Sequence, residues 1–264
     1  MKKISILIVA MVTLFPAIAQ KKKNPYLRQT TSELGAMLST SGKLSAVSLS
    51  VNQYWGVGRK KQSFKIGLGG RLTSAFGSKD LLYMTAPAKL TSEKTGPAVF
   101  FADQVPSNID TLKVESTQVN AVNLYLALRY DFKRKWGAEF NIDLAGFGFG
   151  GSKSSVLTYG ENSDATRITT AKPSPRNALL ISDNDIGSLS SELYLSYLYK
   201  MNLKLKVGAS FLFNEYRVDN PVLYTTQRGT VVGTDRYRNK SLTASIGANY
   251  IFKHKIRKVE TSTP

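Results

Sequence analysis

Val122-Asn123-Leu124-Tyr125-Leu126-Ala127-Leu128-Arg129-Tyr130-Asp131-Phe132 is apolar at every even-numbered position. Lys133-Arg134-Lys135 follow, and the alternation resumes as Trp136-Gly137-Ala138-Glu139-Phe140-Asn141-Ile142-Asp143-Leu144. Successive side chains of a strand point to opposite faces. A period of two, held on both sides of a short basic turn, therefore predicts a β-hairpin with one apolar face. The other face carries Arg129, Asp131, Glu139 and Asp143. A soluble sandwich turns its apolar face inward. Apolar residues outside and ions inside are what lipid demands of a β-barrel.

The same alternation recurs in Thr31–Thr40, Ser45–Trp55, Ser63–Phe76, Ser188–Tyr199, Leu203–Phe213 and Lys240–Phe252. With the hairpin these make eight strands, an even number that lets a single chain close. Ten remain open, because Val156–Tyr159 and Arg167–Thr170 could pair as a further hairpin. The expected fold is therefore all-β, a transmembrane antiparallel up-and-down barrel. Ser78–Ser116, Gly150–Gly187 and Asp219–Arg238 are read as long loops, and Gly56–Gln62, Lys133–Lys135 and Lys200–Asn202 as short turns. Short turns belong in the periplasm and long loops outside, which puts both termini in the periplasm. Aromatics at strand ends, among them Tyr54, Trp55, Trp136, Phe147, Phe211 and Tyr250, suit two interfacial girdles.

After the first twenty residues, no segment is long and apolar enough for a transmembrane helix, which needs roughly twenty residues. Met1–Gln20 reads as a secretory signal. Lys2 and Lys3 charge its start, Ile4–Phe15 form its apolar core, and Ala17-Ile18-Ala19 is a cleavage site. Residues 1–19 are thus expected to be a signal peptide, 20–252 the barrel, and 253–264 a basic periplasmic tail. The destination implied is the outer membrane of a Gram-negative bacterium.

The expected lumen holds Lys65, Arg71, Arg129, Lys204 and Lys206 against Glu33, Asp131, Glu139, Asp143 and Glu192. Setting Phe132 opposite Trp136 places Arg129 across from Glu139, and opposite charges across strands attract. Eight strands leave an interior just wide enough for side chains to fill, so a balanced ionic network there is a plug. The chain has 36 Lys and Arg against 18 Asp and Glu, a net +18; without Lys2 and Lys3 the balance is +16. The excess gathers at the periplasmic end. Arg59, Lys60 and Lys61, then Lys133, Arg134 and Lys135, then Lys253, Lys255, Arg257 and Lys258 form a basic rim there. Anionic headgroups are its simplest partner and a periplasmic protein the sharper one; an exported barrel does not meet nucleic acid.

Catalytic chemistry is hard to assemble. There is no cysteine, and His254 is the single histidine. A base must lie within hydrogen-bond reach of its nucleophile, so no histidine-dependent hydrolase is expected inside a barrel. Glu139 and Asp143 could form a carboxylate dyad, but a network explains them better. Asp183-Asn184-Asp185 with Gly187 could wrap calcium, yet it lacks a full EF-hand pattern and reads as a turn. No cofactor, metal or catalytic residue is expected.

The last strand reads Ser245-Ile246-Gly247-Ala248-Asn249-Tyr250-Ile251-Phe252. It resembles the signal by which the barrel-assembly machinery recognises outer-membrane proteins, with Gly247, Tyr250 and Phe252 at its fixed positions. One departure is that the aromatic residue usually ends such a chain, whereas here residues follow it to Pro264. The chain as a whole resembles the small OmpA/OmpX-type barrels of the porin family. That resemblance implies insertion into the lipid bilayer by the barrel-assembly machinery, but such barrels have several roles and the fold does not choose among them. The long loops and the filled lumen point to a non-enzymatic structural or interacting role, with a periplasmic or surface protein as a further partner. A narrow or lateral solute conduit, and an accessory subunit of an envelope secretion or assembly complex, are the alternatives.

Overall fold

A computed structural model describes residues 27–57, 63–92, 103–132, 135–160, 165–180, 185–225 and 229–256. The expected signal peptide, Arg59, Lys60, Lys61, Lys133, Arg134, Arg257, Lys258, Asp183 and Asn184 lie outside these residues. The described strands are β1 (Leu27–Thr40), β2 (Leu44–Val57), β3 (Phe64–Gly77), β4 (Leu82–Ala86), β5 (Thr111–Val114), β6 (Thr117–Asp131) and β7 (Trp136–Phe149). They continue with β8 (Lys153–Thr158), β9 (Thr166–Pro173), β10 (Asn177–Ala178), β11 (Leu189–Lys200), β12 (Leu203–Thr225) and β13 (Val231–Ile256). One helical turn, α1 (Ala88–Thr91), and a 3-10 turn at Pro106–Asn108 lie between β4 and β5.

All thirteen strands belong to one antiparallel sheet. This overturns the expected eight or ten, and with that count the likeness to the small OmpA/OmpX-type barrel. The three stretches read as loops contain β4, β5, β8, β9 and β10, and they lengthen β12 and β13. The new strands are two to eight residues long and interrupted by proline and serine, too short for a period of two to stand out.

Pairing closes the sheet twice. β1 pairs with β2, β2 with β3, β3 with β6, β6 with β7, β7 with β11, β11 with β12, β12 with β13, and β13 again with β1. A second, smaller cycle runs β4, β5, β8, β9, β12, β13 and back to β4. β12 and β13 are common to both rings. β10 adds two residues to β7 and bridges to Ile186.

The rings have opposite polarity. In the larger one Leu34, Leu38, Val47, Leu49, Val51, Leu193, Val207, Ile246 and Phe252 are exposed outward, while Glu33, Arg71, Arg129, Glu139 and Lys206 are buried inside. In the smaller one the interior is apolar. Tyr83, Leu112, Val114, Leu157, Ala171, Tyr216, Val218, Tyr224 and Tyr237 pack in one core. Tyr83 meets Tyr216 edge-on at 5.1 Å between ring centres, a preferred aromatic geometry. That core continues down into the mouth of the larger ring through Leu44, Ala46, Ala75, Val119 and Leu212. The placing of Tyr54 in an interfacial girdle is also corrected. Tyr54 has the inward phase shared with Asn52 and is fully buried in the lumen. Leu189, where the chain enters β11 from the β10 bridge, is buried too.

Candidate functional site

The lumen of the larger ring is organised in tiers along its axis. Near the end where β6 turns into β7, Lys65 pairs with Asp131 at 2.7 Å in a partly exposed contact. Above it lies the first enclosed cluster. Arg129 grips Glu33 with two parallel bonds, Nη1 to Oε1 and Nη2 to Oε2, both 2.8 Å. The planar guanidinium matches a carboxylate in this way, and charge-assisted bonds are about twice as strong as neutral ones. Glu33 also accepts from Lys204 Nζ and Asn249 Nδ2, each at 2.8 Å. Arg129 and Glu139 are register partners on β6 and β7, with Nε 2.9 Å from Oε1. Lys206 reaches the other oxygen of Glu139 at 2.5 Å, and Tyr54 donates to it at 3.4 Å. The Arg129 guanidinium lies 3.8 Å from the centre of the Tyr54 ring, a stacked cation–π contact.

The second cluster is centred on Arg71, which pairs with Asp143 and Glu192. Asp143 further accepts from Asn123 Nδ2 at 2.8 Å and Ser190 N at 2.9 Å, and Glu192 from Asn141 Nδ2 at 3.0 Å. Tyr125 lies under the Arg71 guanidinium at 4.9 Å and donates to Asn52. Glu139 and Asp143 thus belong to different clusters, each held by its own arginine, and they do not form a dyad. Above Arg71 come the apolar residues Leu44, Ala46, Ala75, Val119 and Leu212.

The charge count divides unevenly. Among the described residues the lower cluster holds Arg129, Lys204 and Lys206 against Glu33 and Glu139. The upper one holds Arg71 against Asp143 and Glu192. One surplus cation below therefore balances one surplus carboxylate above. Isolated ions in such an enclosed space cost several kcal/mol each, so the neutral total matters.

A third polar knot sits where the two rings meet, around Glu215, with its partners drawn from stretches read as loop. Glu215 Oε1 accepts from Ser174 Oγ at 2.6 Å, Arg236 Nε at 3.0 Å and Gly187 N at 3.1 Å. Oε2 accepts from Arg236 at 2.7 Å and Arg238 at 3.0 Å. Burial pushes this carboxyl up, but the two arginines and the Ser174 hydroxyl outweigh it and hold Glu215 below the ordinary carboxylate range. Gly187 has φ of +78° and touches the Arg176 carbonyl where a Cβ would stand, so a side chain is excluded twice over. The Asp185 carbonyl accepts from both arginines. A sequence signal for this knot exists. The outward phase Phe211, Phe213 continues to Glu215 and changes there from apolar to charged.

Within the smaller ring, Tyr224 donates to Asp110 Oδ2 at 2.6 Å and lies 3.4 Å from the Tyr237 hydroxyl. Burial raises both phenols, Tyr237 to about 12.

Of the basic rim, Lys135 and Lys253 are described and exposed, with Lys135 5.8 Å from the Tyr197 ring centre; Lys200, at the end of β11, is also exposed and lies 5.6 Å from the Tyr199 ring centre. Lys255 lies in β13 opposite Thr30. Tyr250 and Phe252 point outward on β13. Gly247 pairs with Met37 across the β1–β13 seam, and a Cβ there would overlap the Ala36 carbonyl oxygen and Met37 Sδ.

No family model matches the chain, and no curated protein matches it. Solved structures do. Neisserial surface protein A is 9% identical, with 85% of this chain and 96% of that one covered and a TM-score of 0.34. Ail of Yersinia pestis in a bilayer nanodisc is 10% identical over 85% and 99%, also with a TM-score of 0.34. The outer membrane protease OmpT of Escherichia coli is 9% identical over 88% and 99%, with a TM-score of 0.27. Likenesses this distant assign no activity to this chain.

Proposed function

We propose that the chain is a non-enzymatic integral barrel of the Gram-negative outer membrane, whose role is structural or interactive. The observation that carries this is the reversal of polarity along β12 and β13. Their outward residues Leu205, Val207, Phe211, Leu242, Ile246 and Tyr250 are exposed and apolar, whereas Tyr216, Tyr224 and Tyr237 turn the apolar side inward farther along. Exposed apolar residues around a buried ionic interior suit lipid, and a buried apolar core suits water. The larger ring is then the membrane part and the smaller ring stands outside the cell. The termini and the basic rim face the periplasm, after export on a cleaved signal peptide and insertion by the barrel-assembly machinery. The two ionic clusters and the apolar layer above them favour a sealed lumen over a solute conduit. A periplasmic or surface protein is the remaining partner, meeting either the rim or the outer ring.

Reconstitution into planar bilayers tests this reading. Inserted protein is expected to show no steady conductance, and externally added protease should reach the smaller ring while sparing the larger. Sizeable steady currents would overturn the sealed lumen. Protein that stays water-soluble without detergent would overturn the membrane placement.

A further inference from the structure

The seam between β7 and β11 ends, beside the basic rim, in a cluster that takes no part in filling the lumen. Trp136 and Tyr197 are register partners on its outward face, with ring centres 4.8 Å apart. Tyr199 follows on β11 and is 56% exposed. Two exposed lysines flank these rings. Lys135 Nζ lies 5.8 Å from the centre of the Tyr197 ring, and Lys200 Nζ 5.6 Å from that of Tyr199. A ring face attracts a cation but has no net charge, so both ammonium charges persist. The backbone brings the lysines close, because Leu198 N donates to the Lys135 carbonyl at 2.7 Å and Lys200 is two residues further on.

No acid on the outside opposes them. The carboxylates of the β6–β7 hairpin nearest to Lys135 are engaged inside, Asp131 by Lys65 and Glu139 by Arg129 and Lys206. Farther from the rim the outward face is aliphatic and aromatic. Leu195, Leu193 and Phe140 are exposed there. Ala138, with Tyr130 and Leu195 as its register partners, is the shortest side chain among them and leaves a shallow trough between Trp136 and Phe140. Alternate residues of a strand are about 7 Å apart. Cations, rings and aliphatic surface thus follow one another in the order of headgroup, interface and acyl chain within one leaflet.

We infer that this seam binds one anionic phospholipid of the periplasmic leaflet, with its phosphate between Lys135 and Lys200 and an acyl chain along Ala138 and Leu195. The inference rests on the membrane placement proposed above. It goes beyond attraction of the whole rim to an anionic surface, because it assigns the lipid to two lysines that adjoin a trough.

The test measures binding of the protein in detergent micelles to phosphatidylglycerol, with phosphatidylcholine as the zwitterionic comparison and native mass spectrometry as readout. Wild type should prefer phosphatidylglycerol. Lys135→Gln and Lys200→Gln should each weaken that binding about fivefold, the usual effect of one basic residue near a lipid surface, and Lys200→Arg should keep it. Lys253→Gln removes the same charge from exposed β13, two strands from β11, and should leave binding unchanged. Equal loss in Lys253→Gln, or no preference in wild type, overturns the inference. Displacement of the lipid by millimolar inorganic phosphate would overturn it too, since the site would then read phosphate alone. Protein that never inserts into vesicles would instead defeat the membrane placement, so the two failures are distinguishable.

Discussion

Replacing Glu33 with glutamine tests the lumen most sharply. The change keeps the shape of the side chain and removes its charge. Glu33 is fully buried, and Arg129, Lys204 and Asn249 all donate to it. In wild type the lower cluster carries three cations against two carboxylates; in Glu33→Gln three cations face Glu139 alone. Removing one partner of a buried pair costs about 3–5 kcal/mol. Glutamine still accepts hydrogen bonds, though neutral ones at about half the strength, so we expect the low end, about 3 kcal/mol, or more than a hundredfold in the folding constant. The assay is urea unfolding in lipid vesicles followed by the fluorescence of Trp55 and Trp136, with an unchanged slope against denaturant. Adding Lys204→Met removes the extra cation and should recover about 1–2 kcal/mol, a coupling of ordinary size for contacting residues. A Glu33→Gln protein within about 1 kcal/mol of wild type would refute the reasoning. So would a double variant that recovers nothing.

Other outcomes follow from the outer ring and the seam. Leu112→Ala opens a cavity in the core of the smaller ring and should cost about 2–5 kcal/mol, seen as faster proteolysis of residues 82–173 while the larger ring stays resistant. Gly247→Ala should sharply lower the yield of closed barrel on heat-shift gels, because its methyl group meets the Ala36 backbone. In alkali, unfolded tyrosine loses its proton near pH ~10, whereas folded Tyr237 keeps it to about 12. The outer ring should therefore keep its stability below the first value and lose it as pH rises through the second, tracked by phenolate absorbance and proteolysis. In acid the sign reverses for Glu215. Its lowered native value contributes stability that disappears as pH falls below the ordinary carboxylate range; a junction equally protected from protease in acid and at neutrality would contradict this.

Much of the larger ring could be read directly because an exposed apolar face on one side and a filled lumen on the other force strict alternation. Val122 to Phe132 show it in a single line of sequence, and the register of Arg129 with Glu139 follows from the length of the turn. Tyr54 suits a girdle by its aromatic character alone, but its phase is that of buried Asn52, and the phase places it in the lumen. The outer ring was hidden for a different reason. Its core draws single residues such as Tyr83, Leu112, Leu157 and Tyr237 from four strands in three separate stretches, and closure depends on pairings between distant segments that no local pattern contains. The knot at Glu215 was missed with it, since its arginines come from a segment taken for loop.

Sharing β13 between two rings also sets an order of events. It is the last described strand in the chain, yet it supplies one wall to β1, the earliest, and another to β4. Neither circle can shut until this strand is delivered, and its arrival can shut both. Every earlier strand must wait as an open-edged sheet, with pairing groups free to capture a wrong neighbour. Shielding those edges is therefore the main demand this topology places on whatever accompanies the chain as it folds.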